Sequence, residues 1–238
     1  MLARILIVGS TGAIGQGFVT HLAARYPEAQ LFACGRSVTP GTAGQVHYLP
    51  CDMQEAGLAT VAKQIADHGP LDRVVVATGV LHDSQVKPEK SLQDLNAAQC
   101  LRVFEINTVL PALCLKYFLP LCHKQRRAVF AILSARVGSI TDNQLGGWYA
   151  YRASKAALNM IIKNAAIEAG RFHPEQYVVG LHPGTVDSHL SAPFQQHLPP
   201  GQCRSAAEAV AQLTEVMDGL VLGASGRCFD YRGQEVLP

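Results

Sequence analysis

The stretch Gly9-Ser10-Thr11-Gly12-Ala13-Ile14-Gly15-Gln16-Gly17 follows directly on an apolar, β-branched run, Ala3 to Val8. The run reads as a buried strand, and the residues from about Ala13 to Arg25 read as a helix. Glycines let the backbone turn tightly between the two. Strand, glycine turn and helix in that order commit the N-terminus to a βα unit with the helix N-terminus facing the strand end. The same alternation continues along the chain. Strands are expected at Gln30 to Cys34, Val46 to Pro50, Arg73 to Ala77, Ala128 to Leu133, Tyr177 to Leu181 and Arg227 to Tyr231. Helices are expected at Glu55 to Asp67, Ala97 to His123, Trp148 to Gly170 and Ala206 to Leu222. This order predicts an α/β fold: one domain built on a doubly wound parallel sheet of about seven strands, with helices on both faces.

Composition agrees. Hydrophobic residues make up 48% of the 238 positions and charged residues 16%, as a sheet covered on both faces requires. The net charge of +2 comes with no basic cluster beyond Arg126-Arg127, which argues against a nucleic-acid surface. Leu2 to Val8 is too short to span a membrane, and the apolar stretch from Thr108 to Cys122 is interrupted by Pro111, Lys116 and Pro120. The 7 cysteines lack CxxC spacing and lie mostly in apolar runs, so reduced thiols in a cytoplasmic protein are expected, and no metal site. His189 to Ser205, with Pro193, Pro199, Pro200 and Gly201, is expected to form a mobile flap.

Two constellations carry chemistry. In the glycine turn, close backbone approach and the amides of a helix N-terminus suit a pyrophosphate, so Gly9, Ser10, Thr11, Gly12, Ala13, Ile14 and Gly15 are candidate dinucleotide ligands. The second strand ends Cys34-Gly35-Arg36 with no acid for a ribose 2′-hydroxyl. Arg36 is either a solvated surface residue or the partner of a 2′-phosphate, which favours NADP(H) over NAD(H). The second constellation is Tyr151-Arg152-Ala153-Ser154-Lys155. Residues four apart share a helix face, so a lysine ammonium there lowers the phenol pKa and prepares it for proton transfer to a carbonyl oxygen.

With both constellations in place, the whole chain resembles the short-chain dehydrogenase/reductase family. The stretch Arg136 to Asn159 is similar to its C-factor/sniffer branch of carbonyl reductases. The resemblance implies several roles. Tyr151 is the general acid, assisted by Lys155, which also binds the nicotinamide ribose. Asn107 holds a water-mediated proton path to Lys155. Asp52 and Met53 lie along the adenine, with Asp52 equally readable as a cap of the following helix. Thr78 and Gly79 line the adenine ribose. Pro183, Gly184, Val186 and Ser188 hold the nicotinamide amide, Ser188 replacing the usual threonine. Trp148, Tyr149, Leu190 and Phe194 are candidate pocket residues.

The chain departs from the family at three points. Ala13 stands where a second glycine is common, and Val76-Ala77-Thr78-Gly79 replaces Asn-Asn-Ala-Gly. Counting back from Gly138, the position of the usual serine donor is Ala135. Either Ser134 or Ser139 is then the candidate donor to the substrate oxygen. The expected function is an NADP(H)-dependent oxidoreductase acting on a small carbonyl or alcohol, working as a homo-oligomer, dimer or tetramer. The alternative is an NADP-binding sensor of the same fold with little turnover.

Overall fold

The computed structural model describes residues 4–197 and 203–238. Strand β1 (Arg4–Val8) leads through the glycine turn into helix α1 (Ala13–Arg25). Then come β2 (Gln30–Gly35), β3 (Gly41–Ala43), β4 (Val46–Pro50), α2 (Glu55–Ala66) and β5 (Arg73–Val76). Helices α3 (Ala97–Phe104) and α4 (Leu110–Phe118) follow, with a π-helical turn, Glu105–Val109, between them. The remainder is β6 (Ala128–Leu133), α5 (Tyr149–Phe172), β7 (Gln176–His182), β8 (Thr185–Val186), β9 (Cys203–Arg204), α6 (Ala206–Asp218), β10 (Cys228–Asp230) and β11 (Glu235–Val236).

The main sheet has the order β11-β10-β7-β6-β5-β1-β2-β4-β3. Its interior pairings are parallel; only the outer pairs β10–β11 and β3–β4 are antiparallel. The expected fold is present, with more strands than about seven. The additions, β3, β8, β9 and β11, are two or three residues long, too short for an alternation pattern to register in sequence.

Successive strand residues point to opposite faces. Leu6, Val8, Phe32, Val74 and Phe130 meet Leu58 and Ile65 of α2, Phe118 of α4 and Leu158 of α5 on one face. Ile5, Ile7, Leu31, Val75 and Val179 meet Phe18 and Leu22 of α1 and Leu213 and Met217 of α6 on the other. Every residue of β5 and β6 is buried, which is why these runs carry no polar alternation.

β1 lies between β2 and β5, in register with both. The chain winds outward to one side of β1, then returns to its other side. Ligands of open α/β sheets bind at such a switch point, outside the C-terminal strand ends.

The helix expected over Ala97 to His123 runs without a gap over Ala97–Leu121 but is not regular α-helix throughout. Pro111 has no N–H for the carbonyl of Asn107, four residues earlier, and its ring crowds that carbonyl. The chain absorbs the conflict as the π turn at Glu105–Val109. By length and composition Ala97–Leu121 would also suffice to cross a membrane, but here Leu110, Cys114, Leu115 and Phe118 are buried in the core.

Candidate active site

Gly9 begins the turn after β1 at φ +86°, and a Cβ there would lie 2.9 Å from the carbonyl oxygen of Ala77. A Cβ on Gly15 would overlap the Gly9 carbonyl oxygen. Both positions therefore need glycine. The amides of Gly9 and Ser10 donate to the carbonyl of Cys34 at 2.9 and 3.0 Å, tying the turn to the end of β2. Gly12 occupies the N-cap of α1 without a side-chain cap, so the first helical amides remain open to an anion. Ala13, Thr11 and Gly12 are exposed and Ile14 is half-buried, so the extra methyl at Ala13 meets no obstruction. The hydroxyls of Ser10 and Thr78 are buried without a hydrogen-bond partner among the described residues. Unsatisfied hydroxyls beside open amides fit a ligand rich in phosphate and ribose oxygens.

A cleft lies past the end of β2, lined by Arg36, His47, Leu49, Cys51, Asp52 and Thr60. Arg36 is exposed. Asp52 Oδ1 accepts the Gln54 amide at 2.8 Å in the turn ahead of α2, whose N-cap is Gln54, so Asp52 is not the helix cap; it lines the cleft. Met53 sits at φ +65°, an unusual value for a long side chain.

At the far end of the crevice, α5 carries Tyr151 and Lys155 one turn apart. Lys155 is 3% exposed; its Nζ donates to the carbonyl of Leu133 at 2.9 Å and lies 6.0 Å from the Tyr151 ring centroid. Burial lowers the Lys155 amine to about 8 and pushes the half-buried Tyr151 phenol up to about 12. That is opposite to the lowering expected from the pair. The ammonium is turned to a strand-end carbonyl, so desolvation governs the phenol. The phenol is consequently protonated at neutral pH, the state of a proton donor.

Asn107, in the π turn, is fully buried. Its Oδ1 accepts the Val80 amide at 2.8 Å, and its Nδ2 donates to the Val80 carbonyl at 2.9 Å and to Ser154 Oγ at 3.1 Å. It therefore makes no merely local helix bond; it ties the chain after β5 to α5. Gly79 lies in the same corner: a Cβ there would be 3.5 Å from Asn107 Oδ1 and 3.7 Å from Lys155 Nζ.

Gly138 packs on α5 so tightly that a Cβ would lie 2.8 Å from that of Lys155. This packing supports the Gly138 register, which leaves Ala135 at the serine position. Ser134 donates its hydroxyl to Asn159 Oδ1 at 2.6 Å. Ser139 is 1% exposed and accepts the Asp142 amide at 3.0 Å, which leaves its own proton to donate. Ser134 is thus bonded through its proton and Ser139 through its oxygen, and both are buried.

Pro183 and Gly184 follow β7. Gly184 has φ +75°, and a Cβ would lie 3.1 Å from the Tyr231 ring. Val186 is buried, and the Ser188 hydroxyl donates back to its carbonyl at 3.2 Å. Strands β8 and β9 pair Thr185 with Cys203 and Val186 with Arg204, clipping together the two ends of the expected flap. Within the flap, Ala192–His197 forms a 3-10 turn, while residues 198–202 and the side chain of Phe194 lie outside the described residues. His189 meets the loop after β5: its carbonyl lies 2.9 Å from His82 Nε2, and the two rings stack at 5.3 Å. Leu190 is half-buried, and Trp148 meets Tyr151 edge-on at 6.3 Å.

Glu89 escapes sequence reasoning. It is 3% exposed; its Oε2 accepts the Ala150 amide at 3.2 Å and its carbonyl the Trp148 amide at 2.6 Å. It thus caps the first turn of the helix that bears Tyr151, where Trp148 is left-handed at φ +50°. Lys-Pro-Glu-Lys carries no local signal of this role, because the partner is 61 residues away.

A glycine turn at the switch point and a Tyr/Lys helix facing the same crevice define a class of nucleotide-dependent oxidoreductases. Residues 3–199 match the family model described as short chain dehydrogenase, and the chain belongs to that family. It is 37% identical to the C-signal protein of Myxococcus xanthus over 147 residues, 61% of this chain and 82% of that one. It is 29% identical to 1-hydroxy-2-glutathionyl-2-methyl-3-butene dehydrogenase of Rhodococcus sp. (strain AD45), covering 95% of both chains. Among solved structures, carbonyl reductase Sniffer of D. melanogaster superimposes with a TM-score of 0.85 at 21% identity, all of both chains being covered. The NADPH-bound carbonyl reductase from chicken fatty liver gives 0.84 at 21% identity over 100% of this chain and 94% of that one. At this identity the superpositions concern the fold.

Proposed function

We propose that the protein is an NADP(H)-dependent oxidoreductase acting on a small carbonyl or alcohol. The observation that carries this reading is the convergence of Lys155, Asn107 and Gly79 in the corner beneath Tyr151, in the same crevice as the glycine turn. Gly9 to Gly15, with Ser10 and Thr78, would hold the pyrophosphate and adenosine ribose. Met53 and Asp52 would flank the adenine, and Arg36 the 2′-phosphate. Lys155 and the Pro183–Ser188 segment, with Gly184 and Val186, would hold the nicotinamide end. The cofactor supplies or accepts the hydride. Tyr151 gives its phenolic proton to the carbonyl oxygen in the reducing direction and takes it back in the oxidising one. Lys155, positively charged below about pH 8, supports the phenolate left behind, and Asn107 orders the corner through which the proton is replaced. Ser139 donates a hydrogen bond to the substrate oxygen. His189 to Ser205, Trp148 and Leu190 would border an apolar substrate pocket. Exposed Leu101, Met160, Ile167 and Phe172, on α3 and α5, support a homo-oligomer seam.

NADPH binding, followed by NADPH oxidation against aldehydes, ketones and quinones, tests the reading. The expected result is turnover that drops about 10²–10⁴-fold in Tyr151→Phe while cofactor binding survives. One observation favours the alternative, an NADP-binding sensor: Ala135 stands where a serine donates, and Ser134 is engaged elsewhere. Tight NADPH binding with no turnover on any substrate, unchanged by Tyr151→Phe, would select it.

A further inference from the structure

Cys34 and Cys51 end up together although neither has a part in the reaction above. β2 and β4 are parallel neighbours with Cys34 opposite Leu49 and Gly35 opposite Pro50. Side chains alternate along a strand, so Cys34, Leu49 and Cys51 project to the same face. Both cysteines belong to one buried cluster, close enough for each thiol to act on the other's charge. They differ in access. Cys34 is fully enclosed, whereas Cys51 lines the cleft with Arg36 and Asp52. The Met53 amide points at Cys51 Sγ from 3.4 Å. The Cys34 thiol and this amide lower the Cys51 thiol, while its place beside Cys51 and burial push Cys34 up. The member of the pair on the cleft wall, buried to 6% exposure, is thus the one that ionises more readily, and the thiolate is the reactive form.

We propose that Cys51 and Cys34 form a reversible oxidation site in which hydrogen peroxide joins them in a disulfide beneath the adenosine end of the cofactor cleft. The Cys51 thiolate attacks one peroxide oxygen and the O–O bond breaks. With one proton taken up, the products are Cys51 sulfenic acid and water. The Cys34 sulfur then attacks the Cys51 sulfur, the S–O bond breaks, and hydroxide leaves with the Cys34 proton as a second water. Two thiols are oxidised and one peroxide is reduced to two waters.

The consequence follows from what the two residues hold. A disulfide brings the sulfurs to about 2.0 Å, closer than any thiol hydrogen bond, so the two strand ends must draw together. The Cys34 carbonyl anchors the amides of Gly9 and Ser10, and the Cys51 amide donates to the Gly35 carbonyl at 3.1 Å. Asp52 follows Cys51 directly, and Arg36 follows Cys34 after Gly35. Closure therefore displaces the glycine turn and the cleft rim together, and cofactor affinity falls. A bound cofactor in turn covers Cys51 and slows its oxidation. This consequence rests on the NADP(H) site proposed above; the thiol chemistry does not.

The test uses the full-length protein treated with hydrogen peroxide, with and without NADPH, then alkylated and peptide-mapped by mass spectrometry. A Cys34–Cys51 disulfide is expected, slowed by NADPH, with NADPH affinity lost on oxidation and restored by dithiothreitol. In Cys34→Ser, the reaction should stop at a dimedone-trappable Cys51 sulfenic acid. Wild-type protein in which both thiols remain alkylatable while exposed Cys203 is oxidised would overturn the proposal. So would pairing of Cys51 with the neighbouring buried Cys114 instead. If reduced protein binds no NADPH, the cofactor reading fails, and the disulfide map alone decides the oxidation site.

Discussion

Burial acts on Tyr151 and Lys155 in opposite directions: it keeps the phenol protonated and makes the ammonium easier to lose. A neutral phenol is the acid that carbonyl reduction needs, whereas Lys155 serves only while charged. Its amine, lowered to about 8, is charged below that pH and neutral above it. Reductive kcat/KM, which reports the free enzyme, is therefore expected to fall as pH rises through about 8. Lys155→Arg carries a charge that does not titrate, so the limb should vanish from its pH–rate profile. The serines give a second prediction. Ser139→Ala is expected to lower kcat about 10²–10³-fold, the usual cost of removing one oxyanion donor. Ser134→Ala should leave kcat within a few-fold, since its hydroxyl is spent on Asn159. Equal losses in both, measured by steady-state kinetics, would return the donor role to either residue. The shared helix face of Tyr151 and Lys155 was legible from their spacing, whereas Asn107 entered only through the resemblance. The partners of the Ser134 and Ser139 hydroxyls were not legible, because each depends on where the proton points in the folded turn.

Two elements place these residues. The π turn sits just ahead of Pro111 and carries Asn107, which bonds the chain after β5. π turns frequently mark functional sites. Sequence periodicity read the whole segment as one helix, because an inserted residue barely disturbs an apolar pattern. α5 depends on Glu89 from a distant loop. Glu89→Ala is expected to cost about 0.5–2 kcal/mol, the range for a lost N-cap, measured by denaturant unfolding. The chain has 1 tryptophan, Trp148, and it occupies this N-cap, so its emission should shift in Glu89→Ala and recover in Glu89→Gln. An unchanged emission spectrum would mean the cap does not hold the helix start.

Across the whole molecule, the sheet sets the crevice and the ligand should stabilise it. NADPH at 100 times its Kd is expected to add about 2.7 kcal/mol to folding free energy by mass action. The measurement is a thermal-shift titration with NADPH and NADH in parallel. Arg36→Ala should shrink the NADPH shift toward the NADH one. If NADH already stabilises wild-type protein as strongly as NADPH, Arg36 is a solvated surface residue.

The order of strands and helices, the glycine turn and the Tyr/Lys helix face were all determined by sequence, because each depends on neighbours within a few residues. Alternating apolar runs have few ways to be buried, and a glycine turn between strand and helix has one dominant geometry. Only the tertiary structure decided that Glu89 caps α5, that Asn107 bonds Val80, that Lys155 turns to Leu133, and that Cys34 lies against Cys51. These contacts join segments tens of residues apart, where no local propensity reaches. They form because packing the two helical layers on the sheet leaves each buried polar atom only the partners that the fold happens to bring beside it.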